Sequence, residues 1–282
     1  MYTQMPAGFE TVDKSIKKFL DTFVDSVSAL LKDDLVGIYL HGSLAMGSYY
    51  LPKSDIDLII VVKSSLSADF RKKLANHFAH IADERPTIGN IEVSVLIRFA
   101  ASHFTHPCPF ELHYSTDWHE KILHDEVDFS NTATDVDLAA HLTYVLKRGI
   151  NLKGEAIEKV FGAVPWSYFM DSILDDFNWI VDDEHILESP FYAVLNICRV
   201  LQTVSAKNEL VYSKDEGGEW ALQNLPSEFH TVVQKALDIY RSPQNIEANQ
   251  RRTGGVHWDS KQLLDFRDFS RQKLTEMKSE SK

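Results

Sequence analysis

Two hydrophobic rhythms run along this chain, one helical and one alternating, and the second disappears after about residue 165. Over residues 12–32, Ile16, Phe19, Leu20, Phe23, Val27, Leu30 and Leu31 recur at helical spacing, which predicts an amphipathic helix. Residues 35–40 form a short apolar run between Asp33-Asp34 and Gly42, as expected of a buried strand. Residues 56–62 are almost purely branched aliphatic and predict another. Between them, residues 41–54 are rich in turn formers, with room for one helical turn. Residues 66–82 carry Leu66, Phe70, Leu74, Phe78 and Ile81 on one stripe, a second helix, and 91–99 alternate through Ile91, Val93, Val95 and Ile97, a third strand.

A loop bearing histidine and proline follows, then a further strand over 110–118 and a helix over 135–148, with Leu138, Leu142, Val145 and Leu146 on its apolar stripe. Beyond Pro165 the periodicity is helical throughout, over 167–181, 191–205, 217–223, 229–240 and 257–278, with a polar linker at 244–255. The expected class is α+β: an N-terminal α/β domain (1–163) followed by an all-helical C-terminal domain (164–282).

Composition narrows the function. Of 282 residues, 29 are Lys or Arg and 41 are Asp or Glu, a formal charge of −12. Coating a nucleic acid backbone needs clustered cations, so a nucleic acid partner is disfavoured, whereas a cationic small molecule suits the charge. Cys108 and Cys198 are the only cysteines, which excludes a disulfide framework and fits a reducing compartment. No apolar run approaches the ~20 residues of a membrane span, and residues 1–13 show no export signal. A cytoplasmic protein with no membrane partner is expected.

The informative chemistry lies in Gly42-Ser43, Ser54-Asp55-Ile56-Asp57 and Glu92. Asp55 and Asp57, two apart at the mouth of an apolar strand, project to one face. Two carboxylates so placed repel each other and call for a cation between them. Oxygen-only ligands favour Mg²⁺, which takes one or two carboxylates together with substrate phosphates. Glu92, two residues into the next predicted strand, can reach the same end to ligate the metal or accept a proton. Gly42 lets backbone approach a phosphate, and Ser43 adds a hydroxyl donor. An isolated Asp-x-Asp is more often a turn or cap than a metal site. The combination of glycine, serine and acids between two buried strands describes metal-assisted nucleotidyl transfer.

The stretch His41-Gly-Ser-Leu-Ala-Met-Gly-Ser-Tyr-Tyr-Leu-Pro-Lys-Ser-Asp-Ile-Asp57 resembles the signature of the DNA polymerase β-type nucleotidyltransferases. Phe110-Glu-Leu-His-Tyr114, Val200-Leu-Gln-Thr203, Tyr212-Ser-Lys-Asp-Glu-Gly-Gly-Glu-Trp-Ala221 and Leu225-Pro226 resemble the streptomycin/spectinomycin adenylyltransferases, over roughly residues 12–275. The resemblance implies a polymerase β-type α/β domain with a helical domain, ATP as co-substrate and two Mg²⁺ ions. AMP would pass to an acceptor hydroxyl. Asp55 and Asp57 would hold the metals, with Glu92 as base and third ligand. Gly42, Ser43 and Ser54 would meet the triphosphate, Arg199 and Lys214 would be its cationic contacts, and Tyr240 would touch the nucleotide. Trp118 matches a tryptophan that helps bind streptomycin, one residue further from Glu111 than in the family. Antibiotic-modifying members carry Gly-Asp-Glu-Arg-Asn where this chain has Glu188-Ser-Pro-Phe-Tyr192, so Glu188 is the one acid there.

Other residues carry two readings each. Glu111 is either an acceptor-binding acid or a buried acid paired with an arginine. Asp175, Asp176, Asp182, Asp183 and Glu184 could attract a cationic acceptor, although a solvated helix face is the simpler account. His103, His106 and His113 lack a cysteine at ligand spacing and read as surface histidines rather than a zinc site. The leading expectation is an adenylyltransferase acting on a hydroxylated, cationic small molecule of the aminoglycoside or spectinomycin type, hence antibiotic resistance. The alternatives are a protein or RNA acceptor, or a catalytically silent nucleotide-binding regulator.

Overall fold

Helix α1 (Lys14–Leu31) starts where Asp13 caps it, the carboxylate accepting the Ser15 N–H at 2.7 Å, and it buries Ile16, Phe19, Leu20, Phe23, Val24, Val27 and Leu31 along one stripe. The computed structural model describes residues 4–182, 184–244, 246–247 and 250–279. Asp183 and part of the 244–255 linker (245, 248 and 249) therefore lie outside the described residues. The chain divides into two compact units. One comprises Ala7–Tyr49 and Ser54–Phe169; the other comprises the described residues of Met1–Pro6, Tyr50–Lys53 and Met170–Lys282.

In the first unit, β1 (Leu35–His41), the one-turn helix α2 (Gly42–Met46), β2 (Ile56–Val62), α3 (Ala68–Asp83) and β3 (Ile91–Ile97) follow in order. Next come α4 (Arg98–Ser102), β4 (Cys108–Phe110), β5 (Leu112–Tyr114), α5 (Thr116–Leu123), β6 (Ala133–Asp135), α6 (Leu138–Arg148), β7 (Ile150–Gly154) and α7 (Ile157–Val160). Five strands form a mixed sheet in the order β5-β3-β2-β1-β7, and β4 pairs with β6 apart from it. β2 and β3 are parallel, joined by α3 as such a pair requires, and the other pairings are antiparallel.

The pleat sorts the side chains. Tyr39, Ile59, Val61 and Leu96 share one face and form a buried cluster with Leu138, Leu142 and Val145 of α6 and with Phe161. Phe161 meets the Tyr39 ring edge-on at 4.8 Å. Elsewhere in the unit Phe23 of α1 stacks on Phe78 of α3 at 5.7 Å, and Phe78 meets Tyr114 of β5. In β2 every residue from Leu58 to Val62 is at most 1% exposed. At ~1.5–3 kcal/mol per buried aliphatic side chain, that strand is fixed firmly enough to hold the acids at its entrance.

Several elements depart from the sequence reading. Phe99 lies in α4, not in the third strand. The strand expected over 110–118 is instead β4, β5 and the start of α5, so Trp118 is helical. β7 was not foreseen.

In the second unit, α8 (Trp166–Val181), which begins in the first, is followed by α9 (Pro190–Ala206), α10 (Lys214–Asn224), α11 (His230–Tyr240) and α12 (Ser260–Ser279). α9 packs against α10, α11 and α12. Val194, Ile197, Cys198 and Leu201 of α9 are buried, as are Val232, Ala236 and Leu237 of α11 and Phe266 of α12. A Cβ on Gly217 would lie 2.5 Å from the Arg199 backbone nitrogen, so α10 approaches α9 closely only because glycine stands there. Among the described residues no helix is long and apolar enough to cross a membrane.

Candidate active site

The site is built at the end of β1 and the start of β2 and β3. β1 runs out at His41, and the chain turns at Gly42 with φ +67°, a left-handed conformation that favours glycine. A Cβ at Gly42 would lie 1.8 Å from Asp57 Oδ2, so the turn is pressed directly onto that carboxylate. Ser43 follows in α2 and is half-buried; its carbonyl accepts the Ser48 N–H at 2.9 Å, which closes the turn.

Register sets the acids. His41 of β1 is the ladder partner of Asp57 of β2, and Asp57 is the partner of Glu92 of β3. Paired residues share a face, so His41, Asp57 and Glu92 form one row across the sheet. Asp55 precedes β2, and its Oδ1 accepts the Asn90 N–H at 2.6 Å, while the Ile56 N–H reaches the Asn90 carbonyl at 2.9 Å. Asn90 thus ties the mouth of β2 to the start of β3. Ser54 is buried, and its carbonyl oxygen lies 2.0 Å from where a Cβ on Gly89 would be. Burial pushes the Tyr49 hydroxyl well above the usual phenol range, with the charges of Asp55 and Asp57 adding to it.

Beside Glu92 stand histidines whose place there the sequence reading did not give: His141 went unread, and His113, expected on the surface, is half-buried on β5. His141 of α6 places Nδ1 3.6 Å from Glu92 Oε1, and its ring centroid is 5.0 Å from that of His41. His41 is buried and held neutral, its pKa pushed well below the ordinary value by burial. His113 Nδ1 lies 3.0 Å from Ser94 Oγ; burial lowers its pKa, while the Glu92 charge works the other way. The one signal for His141 in the sequence is a polar residue adjoining Leu142 on the apolar stripe of α6.

The donor chemistry fits a hard divalent cation, since carboxylate oxygens from neighbouring strands lie side by side on one face. Among the described residues no three His, Cys, Asp or Glu side chains form a ready metal cluster: register pairs Asp57 with Glu92, and the Asp55 carboxylate is engaged by Asn90.

The remaining sequence-predicted residues fall elsewhere. Glu111 is 8% exposed and accepts the Leu66 N–H at 2.8 Å and the Ser65 hydroxyl at 3.0 Å, with Arg71 Nε at 4.0 Å. This is the arginine-paired burial that the sequence left open against an acceptor contact. Trp118 is two-fifths exposed on α5, with Lys121 Nζ 5.1 Å from its ring centroid.

In the helical unit, Arg199 of α9 donates to Asn196 Oδ1 and lies 3.9 Å from Asp176. Lys214 opens α10 with Nζ 4.4 Å over the Tyr192 ring. Tyr240 is buried, its ring meeting Tyr50 edge-on at 5.0 Å. Glu188 ends a short 3-10 turn and directly precedes Ser189, where α9 begins.

Comparison with known proteins agrees with this architecture. The nucleotidyltransferase domain family matches residues 20–150, and the family described as aminoglycoside adenylyltransferase, C-terminal domain, matches residues 159–257. A spectinomycin 9-adenylyltransferase from Staphylococcus aureus is 30% identical over 224 residues, covering 76% of this chain and 81% of that protein. An aminoglycoside (3'') (9) adenylyltransferase from Klebsiella pneumoniae is 24% identical over 251 residues, covering 86% and 91%. The crystal structure of a spectinomycin adenyltransferase from Enterococcus faecialis with ATP and spectinomycin shares the fold, with a TM-score of 0.72 at 20% identity over 92% of this chain and 99% of that one. With a strand-borne acid pair, a glycine turn pressed on it and these relatives, the chain belongs to the aminoglycoside and spectinomycin adenylyltransferase family and is a nucleotidyltransferase.

Proposed function

We propose that this enzyme transfers AMP from ATP to a hydroxyl of a spectinomycin- or aminoglycoside-type acceptor, with Glu92 as the base. The observation that carries the reading is the in-register pairing of Asp57 and Glu92, with Gly42 held against the Asp57 carboxylate. The acceptor hydroxyl oxygen forms a bond to the α-phosphorus, the bond from that phosphorus to the pyrophosphate oxygen breaks, and the hydroxyl proton passes to Glu92. Asp55, Asp57 and Glu92 would hold Mg²⁺, two ions in this reading, which when bound would lower the hydroxyl pKa and offset the charge of the departing pyrophosphate.

Gly42, Ser43 and Ser54 would meet the triphosphate, and Arg199, Lys214 and Tyr240, in the helical domain of this reading (164–282, after a transferase domain of 1–163), would supply nucleotide contacts. Trp118 and Glu188 are the acceptor contacts of this reading; Glu111, expected as a third, is engaged by Ser65, Leu66 and Arg71 instead. Relatives named for aminoglycosides and spectinomycin support that acceptor class, and the charge of −12 favours a cation over RNA.

Incubation with α-labelled ATP, MgCl₂ and a panel of spectinomycin, streptomycin, protein and RNA tests it. Label is expected on spectinomycin or streptomycin, with pyrophosphate released. Glu92→Gln should still bind ATP and lose on the order of 10²–10⁴ in turnover. Label on protein or RNA alone would overturn the acceptor class, and near-normal turnover by Glu92→Gln would remove Glu92 from its role.

A further inference from the structure

We infer that His141 is a positioning residue for the Glu92 base, fixing one carboxylate oxygen so that the other faces the acceptor. The inference rests on the proposed role of Glu92. Its own support is geometric. His141 sits on α6 next to Leu142 and three residues after Leu138, both buried against the sheet, so its imidazole projects from a helix that packing holds still. Its Nδ1 lies 3.6 Å from Oε1 of Glu92, within ion-pair reach and short of a full hydrogen bond.

His41 backs the ring. It is 4% exposed, lies 5.0 Å from His141 between centroids at a 46° tilt, and stands in the same row as Asp57 and Glu92. The Asp57 charge beside Glu92 repels its carboxylate, and the His141 ring, close to both Glu92 and His41, attracts it back toward the row and restrains that displacement. Glu92 is one-third exposed and His141 about one-fifth, so the carboxylate keeps a solvent-facing side for an incoming hydroxyl. Neither the glycine turn nor the Asn90 clamp touches Glu92 in this way. His141 is therefore assigned to the base and not to the nucleotide.

Replacing His141 by Leu keeps the apolar packing and removes the donor, while Asn returns a donor near the position of Nδ1. His141→Leu should lower kcat about tenfold, the scale of losing one contact to a charged group, and leave the ATP KM within about twofold. His141→Asn should recover most of that loss. In a Glu92→Gln background, His141→Leu should cost nothing further, because the residue acts through Glu92. Thermal unfolding of His141→Leu should match the parent protein.

A crystal structure of His141→Leu without substrates extends the test beyond turnover, and the Glu92 carboxylate should leave its present position. An unmoved carboxylate, a wild-type kcat, or an equal loss in both backgrounds would overturn the inference. Active Glu92→Gln would instead strike the proposed base, while the displaced carboxylate would still report the His141 contact.

Discussion

Gly42 shows how one residue can couple backbone conformation to chemistry. Its φ of +67° disfavours any side chain, and a Cβ would lie 1.8 Å from Asp57 Oδ2. Gly42→Ala therefore carries two costs: about 1–2 kcal/mol for the left-handed backbone, and displacement of the Asp57 carboxylate from the row it shares with Glu92. Denaturant unfolding should report the first cost. Adenylyl transfer should report the second, as a loss beyond about a hundredfold, since a small misplacement of a reacting group costs that much. A variant that loses stability and keeps full turnover would separate Gly42 from the carboxylate's placement. Sequence reading could find Gly42, Asp55, Asp57 and Glu92 because each belongs to a short motif or to an alternating strand. It could not find His141 beside Glu92, because that proximity comes from α6 packing across the sheet, 49 positions further along the chain (141 − 92).

At the scale of elements, legibility followed burial. Ile56–Val62 was readable to its ends because, apart from Asp57, it is a run of branched aliphatics buried on both faces, which leaves one interpretation. β7 was not readable: Asn151 and Lys153 are exposed in an edge strand whose pairing to β1 carries an irregular register. The 110–118 segment misled because Glu111 interrupts its apolar pattern. That residue is a buried acid tied to Ser65, Leu66 and Arg71, and β4 ends before it while β5 begins after it. α10 begins three residues before the expected 217. Gly217 and Gly218, which open the expected helix, serve close contact, Gly217 with Arg199 and Gly218 with Leu237. Its true start is a capping box, in which the Ser213 hydroxyl accepts the Glu216 N–H at 3.1 Å and Glu216 accepts the Ser213 N–H at 2.7 Å. Ser213→Ala should cost about 1 kcal/mol in urea unfolding. Because Lys214 is the first residue of the helix so capped, the ATP KM should rise with it. An unchanged ATP KM would leave Lys214 outside nucleotide binding.

The whole molecule carries a charge of −12 while its proposed substrates carry opposite signs, an anionic nucleotide and a cationic acceptor. The general field therefore attracts the acceptor and repels ATP, so nucleotide affinity must come from local cations and metal rather than from the surface at large. Salt separates the two. Screening shortens the reach of surface charge from about 10 Å at 0.1 M to about 3 Å at 1 M, while close contacts in a partly dry site are screened much less. Raising KCl from about 0.05 M to about 0.5 M should raise the KM for a polycationic aminoglycoside several-fold, and the KM for Mg·ATP should stay level or fall. Initial rates with each substrate varied in turn measure both, and kcat at saturation should change little because the chemistry sits inside the site. An acceptor KM indifferent to salt, with an ATP KM that climbs, would mean that the acidic surface does not gather the acceptor. Recognition would then rest on short-range contacts alone, and the −12 charge would have no part in choosing the substrate.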